Sequence, residues 1–277
     1  MTVVGSPLGG SVDGPGGTPG VNPQAPLARR NPVAKLGAST VLALGLLLSV
    51  DVVTAGTALA LEALALPWCG LRPAALLRRC GILLLGAVPA GVAAAFFGED
   101  AGPDLFALGL ITVSEGSLTA GVAIVLRILA VGTPGVVLLS TTDPTDLADA
   151  LAQVLRLPAR FVLAALAATR LVGVLAEEWR SLSLARRARG LGGTGPVGAV
   201  RTAFGQVFAL LVLAIRRATV LATTMESRGF ATRQARSWAR PSRLDGGDVL
   251  LVLGAVAVTA ASIAAGVAAG TWELLLA

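Results

Sequence analysis

Two short sequences set arginine in the same company, Ala185-Arg186-Arg187-Ala188-Arg189-Gly190 and Met225-Glu226-Ser227-Arg228-Gly229-Phe230. In each, a small residue precedes an arginine and a glycine follows it: Ala188, Arg189 and Gly190 in the first, Ser227, Arg228 and Gly229 in the second. The small residue and the glycine remove side-chain bulk, so the backbone can approach another surface closely. The guanidinium can then fork onto a carboxylate or onto carbonyl oxygens. Docking into a protein groove is a natural use of that chemistry. Either motif alone also reads as an ordinary helix C-cap, with glycine stopping the helix and arginine complementing the dipole. Two of them in one chain suit two similar sockets, as a pair of identical or related partners provides.

Other chemistries lack their residues. There is no histidine, and the single lysine, Lys35, follows Asn31-Pro32-Val33-Ala34 rather than a phosphate-binding glycine loop. The chain therefore has no P-loop of its own, and energy must come from a partner. Zinc hydrolysis and Ser-His-Asp catalysis want histidine, so no catalytic residue, metal site or cofactor is expected. Asp143, Asp146 and Asp149 stand at helical spacing and would be the place for a cation, but acids at a helix N-terminus explain them equally. An integral membrane enzyme acting on lipid or polyprenyl phosphates is the alternative reading, and it lacks catalytic company. Cys69 and Cys80 are expected as free thiols.

The elements that must position the arginines are membrane helices. In 277 residues, 55% are hydrophobic and only 14% charged, and the mean hydropathy is +0.79. Aromatics make up 4%, which suits helices packed through small residues and not a barrel with aromatic girdles. The net charge of +6 lies between apolar runs without stacking aromatics, so topology explains it better than nucleic acid does.

Residues 1–30, rich in Gly, Pro and Ser, read as a disordered cytoplasmic tail and not as a cleavable signal. Residues 31–142 read as N-terminal transmembrane helices, 143–244 as a cytoplasmic coupling-helix region and 245–277 as a C-terminal transmembrane helix. The apolar run Leu36 to Leu66 is too long for one span, and two short helices with a turn near Asp51 are expected, one long span being the alternative. Further spans are expected from about Ile82 to Phe97, from about Leu118 to Leu139 and over Val249 to Thr271. The loop bearing Glu99, Asp100 and Asp104 belongs outside. Between Arg180 and Arg243 twelve arginines face one acid, Glu226, which places that stretch in the cytoplasm. Whether Phe161 to Leu175 enters the membrane can be drawn either way. The fold class is thus an all-α membrane protein with five or six spans and cytoplasmic coupling helices. Arg127 falls within a span, where it is expected near the cytoplasmic edge or paired with backbone carbonyls. The spans are otherwise too bland for a complete permease with its own substrate pocket.

From Asn31-Pro32-Val33-Ala34-Lys35 through Arg127, Thr141-Thr142-Asp143-Pro144-Thr145-Asp146-Leu147 and both Arg-Gly motifs, roughly residues 30 to 270, the sequence resembles the T component of energy-coupling factor importers, the EcfT/CbiQ family. The resemblance implies a subunit that joins a substrate-binding membrane S component to two cytoplasmic ATPases. Coupling helices ending in Ala-Arg-Gly motifs would dock in the ATPases. It makes Ala188, Arg189, Gly190, Ser227, Arg228 and Gly229 the docking residues, with Glu226 and Arg127 in support. Ala188-Arg189-Gly190 fits the family motif outright, and Ser227 replaces its usual alanine. It also implies uptake of a vitamin or a transition-metal ion, cobalt, nickel or a biotin-like molecule, and a cell-membrane location with the N-terminus in the cytoplasm.

Overall fold

The computed structural model describes residues 22, 24–49, 51–71, 73–97, 104–108, 111–191, 195–230, 238 and 240–271. Its helices are α1 (Pro32–Leu47), α2 (Val52–Ala65), α3 (Pro73–Phe97), α4 (Glu115–Thr141), α5 (Pro144–Gln153), α6 (Ala159–Ala188), α7 (Gly195–Ser227) and α8 (Gly246–Ala268). Two strands, β1 (Asp104–Leu108) and β2 (Ile111–Ser114), form an antiparallel hairpin between α3 and α4. Among the described residues six helical stretches are long and apolar enough to cross a membrane, one each on α2, α3, α4, α6, α7 and α8. The protein is an all-α polytopic membrane bundle carrying one small hairpin.

The break in the first apolar run has a chemical cause. Asp51 is buried and caps α2, accepting hydrogen bonds from the Thr54 backbone N–H at 2.8 Å and from Thr54 Oγ1 at 2.7 Å. A carboxylate that takes the orphan donors of a helix start ends the helix before it, so α1 stops at Leu47 and the two-helix reading holds. Arg127, on α4, donates from Nη2 to the Leu47 carbonyl at 2.8 Å. The guanidinium thus satisfies one of the last carbonyls of α1, the carbonyl pairing anticipated for it.

The described chain divides into two units, one containing α1 to α4 and α8, the other running from Leu151 to Pro241. In the first, α1 packs on α4 and α8, α2 on the same two helices, and α3 on α4. Its cores set one leucine among alanines: Ala38, Leu42 and Ala255 in one cluster, Leu46, Ala58 and Ala130 in another. Helices in lipid gain no hydrophobic drive from association, so close approach must supply the attraction. Gly91 and Gly121 show how close it is, since a Cβ on Gly91 would stand 2.8 Å from the Gly121 carbonyl oxygen.

The N-terminal ends of α1 and α8 are tied together. Asn31 donates its backbone N–H to Asp248 Oδ1 at 2.9 Å and its side-chain amide to Ser242 Oγ and the Arg243 carbonyl at 3.0 and 3.1 Å. Its own Oδ1 accepts from the Val33 N–H, capping α1. Asp248 Oδ2 accepts from the Asp245 N–H at 2.8 Å. Lys35 is buried, and its ammonium donates to the carbonyls of Ala28 and Thr141 at 3.0 Å each and to Thr141 Oγ1 at 3.3 Å.

Two features differ from the sequence reading. The acidic loop contains the hairpin, because Ile111-Thr112-Val113 is a β-branched run that pairs with Phe106 to Leu108. The stretch 24–30, read as the end of the disordered tail, forms turns, with Leu27 donating to the Trp68 carbonyl at 3.3 Å and Asn22 to that of Gly70 at 2.8 Å. Ala25 is buried there, and a Cβ on Gly70 would collide with it. Residues 1–21 of the expected tail lie outside the described residues.

Candidate functional site

Both Arg-Gly motifs lie in the second unit, each at a helix C-terminus, and both close their helix in the same way. At the end of α6, Gly190 has φ +72°, its N–H donates to the Arg187 carbonyl at 3.0 Å, and the Leu191 N–H reaches the Arg186 carbonyl at 2.9 Å. At the end of α7, Gly229 has φ +78°, its N–H donates to the Glu226 carbonyl at 2.9 Å, and the Phe230 N–H reaches that of Met225 at 3.1 Å. This is the Schellman cap, whose paired 6→1 and 5→2 bonds need a left-handed residue that glycine adopts without a Cβ penalty. The cap reading and the docking reading are therefore compatible: the cap fixes the chain direction, and the arginine just before the glycine projects from it. Arg189 and Arg228 are both exposed, and neither side chain has a hydrogen bond or ion pair among the described residues. Ser227 turns its hydroxyl inward, donating to the Thr224 carbonyl at 2.9 Å, so this motif too presents a compact shoulder.

Three polar pins hold α6 against α7. Arg186 Nη1 donates to the Thr202 carbonyl at 3.0 Å, Gln206 Nε2 to Ser183 Oγ at 3.2 Å, and Arg217 Nη2 to Glu178 Oε1 at 2.6 Å. As the α6 partner falls from 186 to 178 the α7 partner rises from 202 to 217, so the helices run antiparallel. Gly205 makes room for the Arg186 guanidinium, which lies 3.2 Å from where its Cβ would be. Arg189 follows the first pin by one turn. Arg228 stands roughly 40 Å further along α7, at 1.5 Å per residue.

Residues 24–238 match the family described as CbiQ, cobalt transport protein. The chain belongs to that family. It is similar to the energy-coupling factor transporter transmembrane protein EcfT of Bacillus subtilis (strain 168), 30% identical over 168 residues, which is 57% of this chain and 63% of the relative. The protein of the same name from Exiguobacterium sibiricum is 30% identical over 166 residues, with the same shares of 57% and 63%. That from Limosilactobacillus fermentum is 26% identical over 202 residues, 67% of this chain and 71% of the relative. The chain thus spans 63% of the length of the first two relatives it matches.

The CbiQ-family match takes in both motifs, which belong to the second unit, and Lys35 and Arg127, which belong to the first. Arg127 lies in the first unit at the α1 terminus, and Glu226 is exposed in the last turn of α7. Among the described residues no three of His, Cys, Asp and Glu gather as metal ligands would, and Asp143 caps its own turn by accepting from the Thr145 N–H at 2.7 Å. The pins of the CbiQ-family hairpin were not anticipated from the sequence. Glu178 carried a signal that could have found one of them: it sits with Glu177 inside an arginine-rich helix, where a buried or paired acid is the usual reason.

α7 also presents a stripe of apolar side chains. Phe204, Phe208, Leu211 and Ile215 recur at helical spacing and are 72%, 68%, 54% and 56% exposed, while Gln206, one of the pins, is buried. A stripe of that kind needs lipid or another protein to cover it.

Proposed function

We propose that this chain is the energy-coupling transmembrane subunit, or T component, of an energy-coupling factor importer. It links two cytoplasmic ATPases to a membrane-embedded substrate-binding S component. The observation that carries this reading is the pair of arginines, Arg189 and Arg228, presented on matching glycine caps of one pinned hairpin. Similar caps suit similar sockets, and the two ATPases provide them. The names of the EcfT relatives support the same assignment.

ATP binding draws the ATPases together, and the arginines follow their sockets. The hairpin then shifts against the S component and substrate is released to the cytoplasm. The chain takes no part in hydrolysis, in keeping with Lys35 being committed to three oxygens of its own bundle. The cargo is a vitamin or a transition-metal ion, and the S component selects it.

The chain resides in the cell membrane with its N-terminus and residues 143–244 on the cytoplasmic side. α6 and α7 are long enough to cross the bilayer, but α6 carries Arg170, Glu177, Glu178 and Arg180 and α7 carries Arg216 and Arg217. A charge at mid-bilayer on a lipid face costs at least ~2.5 kcal/mol, so the pair lies along the cytoplasmic face with the Phe204 to Ile215 stripe against lipid and the S component. Single cysteines, introduced after Cys69 and Cys80 are replaced, should therefore react at positions 187 and 228 from the cytoplasmic side of oriented vesicles. A cysteine at position 100 should react from the other side. Labelling of 187 and 228 from opposite sides would show that α7 spans and would overturn this topology.

Tagged chain purified from mildly solubilised membranes should bring down two ATPase subunits and a small membrane protein. The identity of that protein would name the substrate. Recovery of the chain alone, with or without Arg189 and Arg228, would reject the coupling role.

A further inference from the structure

A cavity of about 610 Å³ opens in the first unit between α1, α2, α4 and α8, and its walls are almost wholly apolar. Glu62, on α2, lines it. The residue is 8% exposed, both carboxylate oxygens are buried, and neither has a hydrogen-bond partner among the described residues. A buried carboxylate without a partner is costly, and inside a membrane span an ionisable side chain of this kind points to a ligand or a partner. Among the described residues no cation supplies one. Lys35 lines the same cavity but spends its donors on Ala28 and Thr141, and Glu62 has no ion pair among the described residues.

The mouth indicates where an occupant comes from. Trp68 and Leu250 line the cavity and are 64% and 70% exposed, and both belong to membrane-spanning segments. An opening rimmed by such side chains faces lipid, and a tryptophan at the end of a span marks the headgroup level. Arg30, also in the lining, adds a guanidinium at the N-terminal end of α8, close against Gly247. The site therefore offers an apolar groove, an acceptor carboxylate and a guanidinium at the bilayer boundary. The volume falls within the usual range for small-molecule sites, roughly 300–1,000 Å³.

We propose that this cavity binds a glycerophospholipid with a primary ammonium head, one acyl chain lying in the groove, Glu62 turning its carboxylate from the wall into the groove to accept from the ammonium, and the phosphate meeting Arg30. The inference goes beyond the coupling function and does not depend on it. A primary ammonium matches Glu62 because it has N–H groups to donate, whereas a trimethylated ammonium has none.

The test uses the full chain in detergent, titrated with phosphatidylethanolamine or phosphatidylcholine of the same acyl chains and read by native mass spectrometry. Parent protein should retain one phosphatidylethanolamine with about tenfold preference, the size of one charge-assisted hydrogen bond. Glu62→Gln should erase the preference, while Arg30→Gln should weaken both lipids alike, because both carry the phosphate. Equal retention of the two lipids by the parent would overturn the proposal without recourse to any variant. So would an undiminished preference in Glu62→Gln.

Discussion

A chain carrying both Arg189→Glu and Arg228→Glu should insert and fold like the parent yet lose its ATPases and all coupled uptake. Both side chains are exposed and neither makes a hydrogen bond or ion pair among the described residues, so their replacement removes nothing that holds α6 or α7 in place. What it removes is a guanidinium aimed outward from a glycine cap. A hydrogen bond to a charged group contributes about 1.5–3 kcal/mol, so each single change should weaken ATPase association by roughly 10- to 100-fold. Reversing the charge adds repulsion wherever the socket is acidic. The two losses lie too far apart to share a partner and should add, taking the complex below detection. Co-purification and uptake in vesicles check this, and normal uptake by the double variant would remove the docking role from these residues. Rescue of ATPase binding by Arg189→Lys alone would show that charge suffices, against the forked geometry argued from the cap.

The second large effect concerns the bundle itself. Asp248→Ala should lower the thermal unfolding midpoint in detergent by several degrees, for a loss of about 3 kcal/mol. Asp248 is 3% exposed and accepts from two backbone N–H groups, those of Asn31 and Asp245, and its removal leaves the first of them buried without a partner. The Asn31 amide then keeps its contacts to Ser242 and Arg243, but the chain segment bearing them has lost its anchor on α8. Asn31→Ala keeps the backbone N–H that Asp248 accepts and removes a separate set of bonds, those of the side chain to Val33, Ser242 and Arg243, so it should lower the midpoint further when combined with Asp248→Ala. An unchanged midpoint for Asp248→Ala would show that the tie between the two helix starts is dispensable.

The helices were legible where lipid dictates composition. The charge-free stretch from Val249 to Thr271 falls mostly on α8, which starts three residues earlier at Gly246 and ends at Ala268, and the run from Leu36 to Leu66 breaks where an aspartate interrupts it. Arg127 was legible as a structural group because a charge inside a span has few places to go, though nothing in the sequence pointed to the Leu47 carbonyl. The two Arg-Gly ends were legible as caps from Gly190 and Gly229 alone, since only a left-handed residue closes the helix that way. Contacts between distant segments were not. Asn31 to Asp248 and Glu178 to Arg217 join residues far apart in sequence by polar bonds that no periodicity announces, and Glu62 reads in sequence as one acid in an apolar run. The β1–β2 hairpin was missed because acidic residues and glycines flanking the segment speak for a loop, while its β-branched run is short.

The spacing of the three pins makes the hairpin an unequal lever. Measured from the middle pin, Ser183 to Gln206, Arg189 stands on an arm of about 9 Å along α6 and Arg228 on an arm of about 33 Å along α7. Tilting the hairpin about that pin carries the α7 tip roughly three to four times as far as the α6 tip. Two sockets closing symmetrically on such a body cannot both be followed by rotation alone. The difference in travel becomes a torque on the apolar stripe of α7, and through it on whatever covers Phe204 and Phe208.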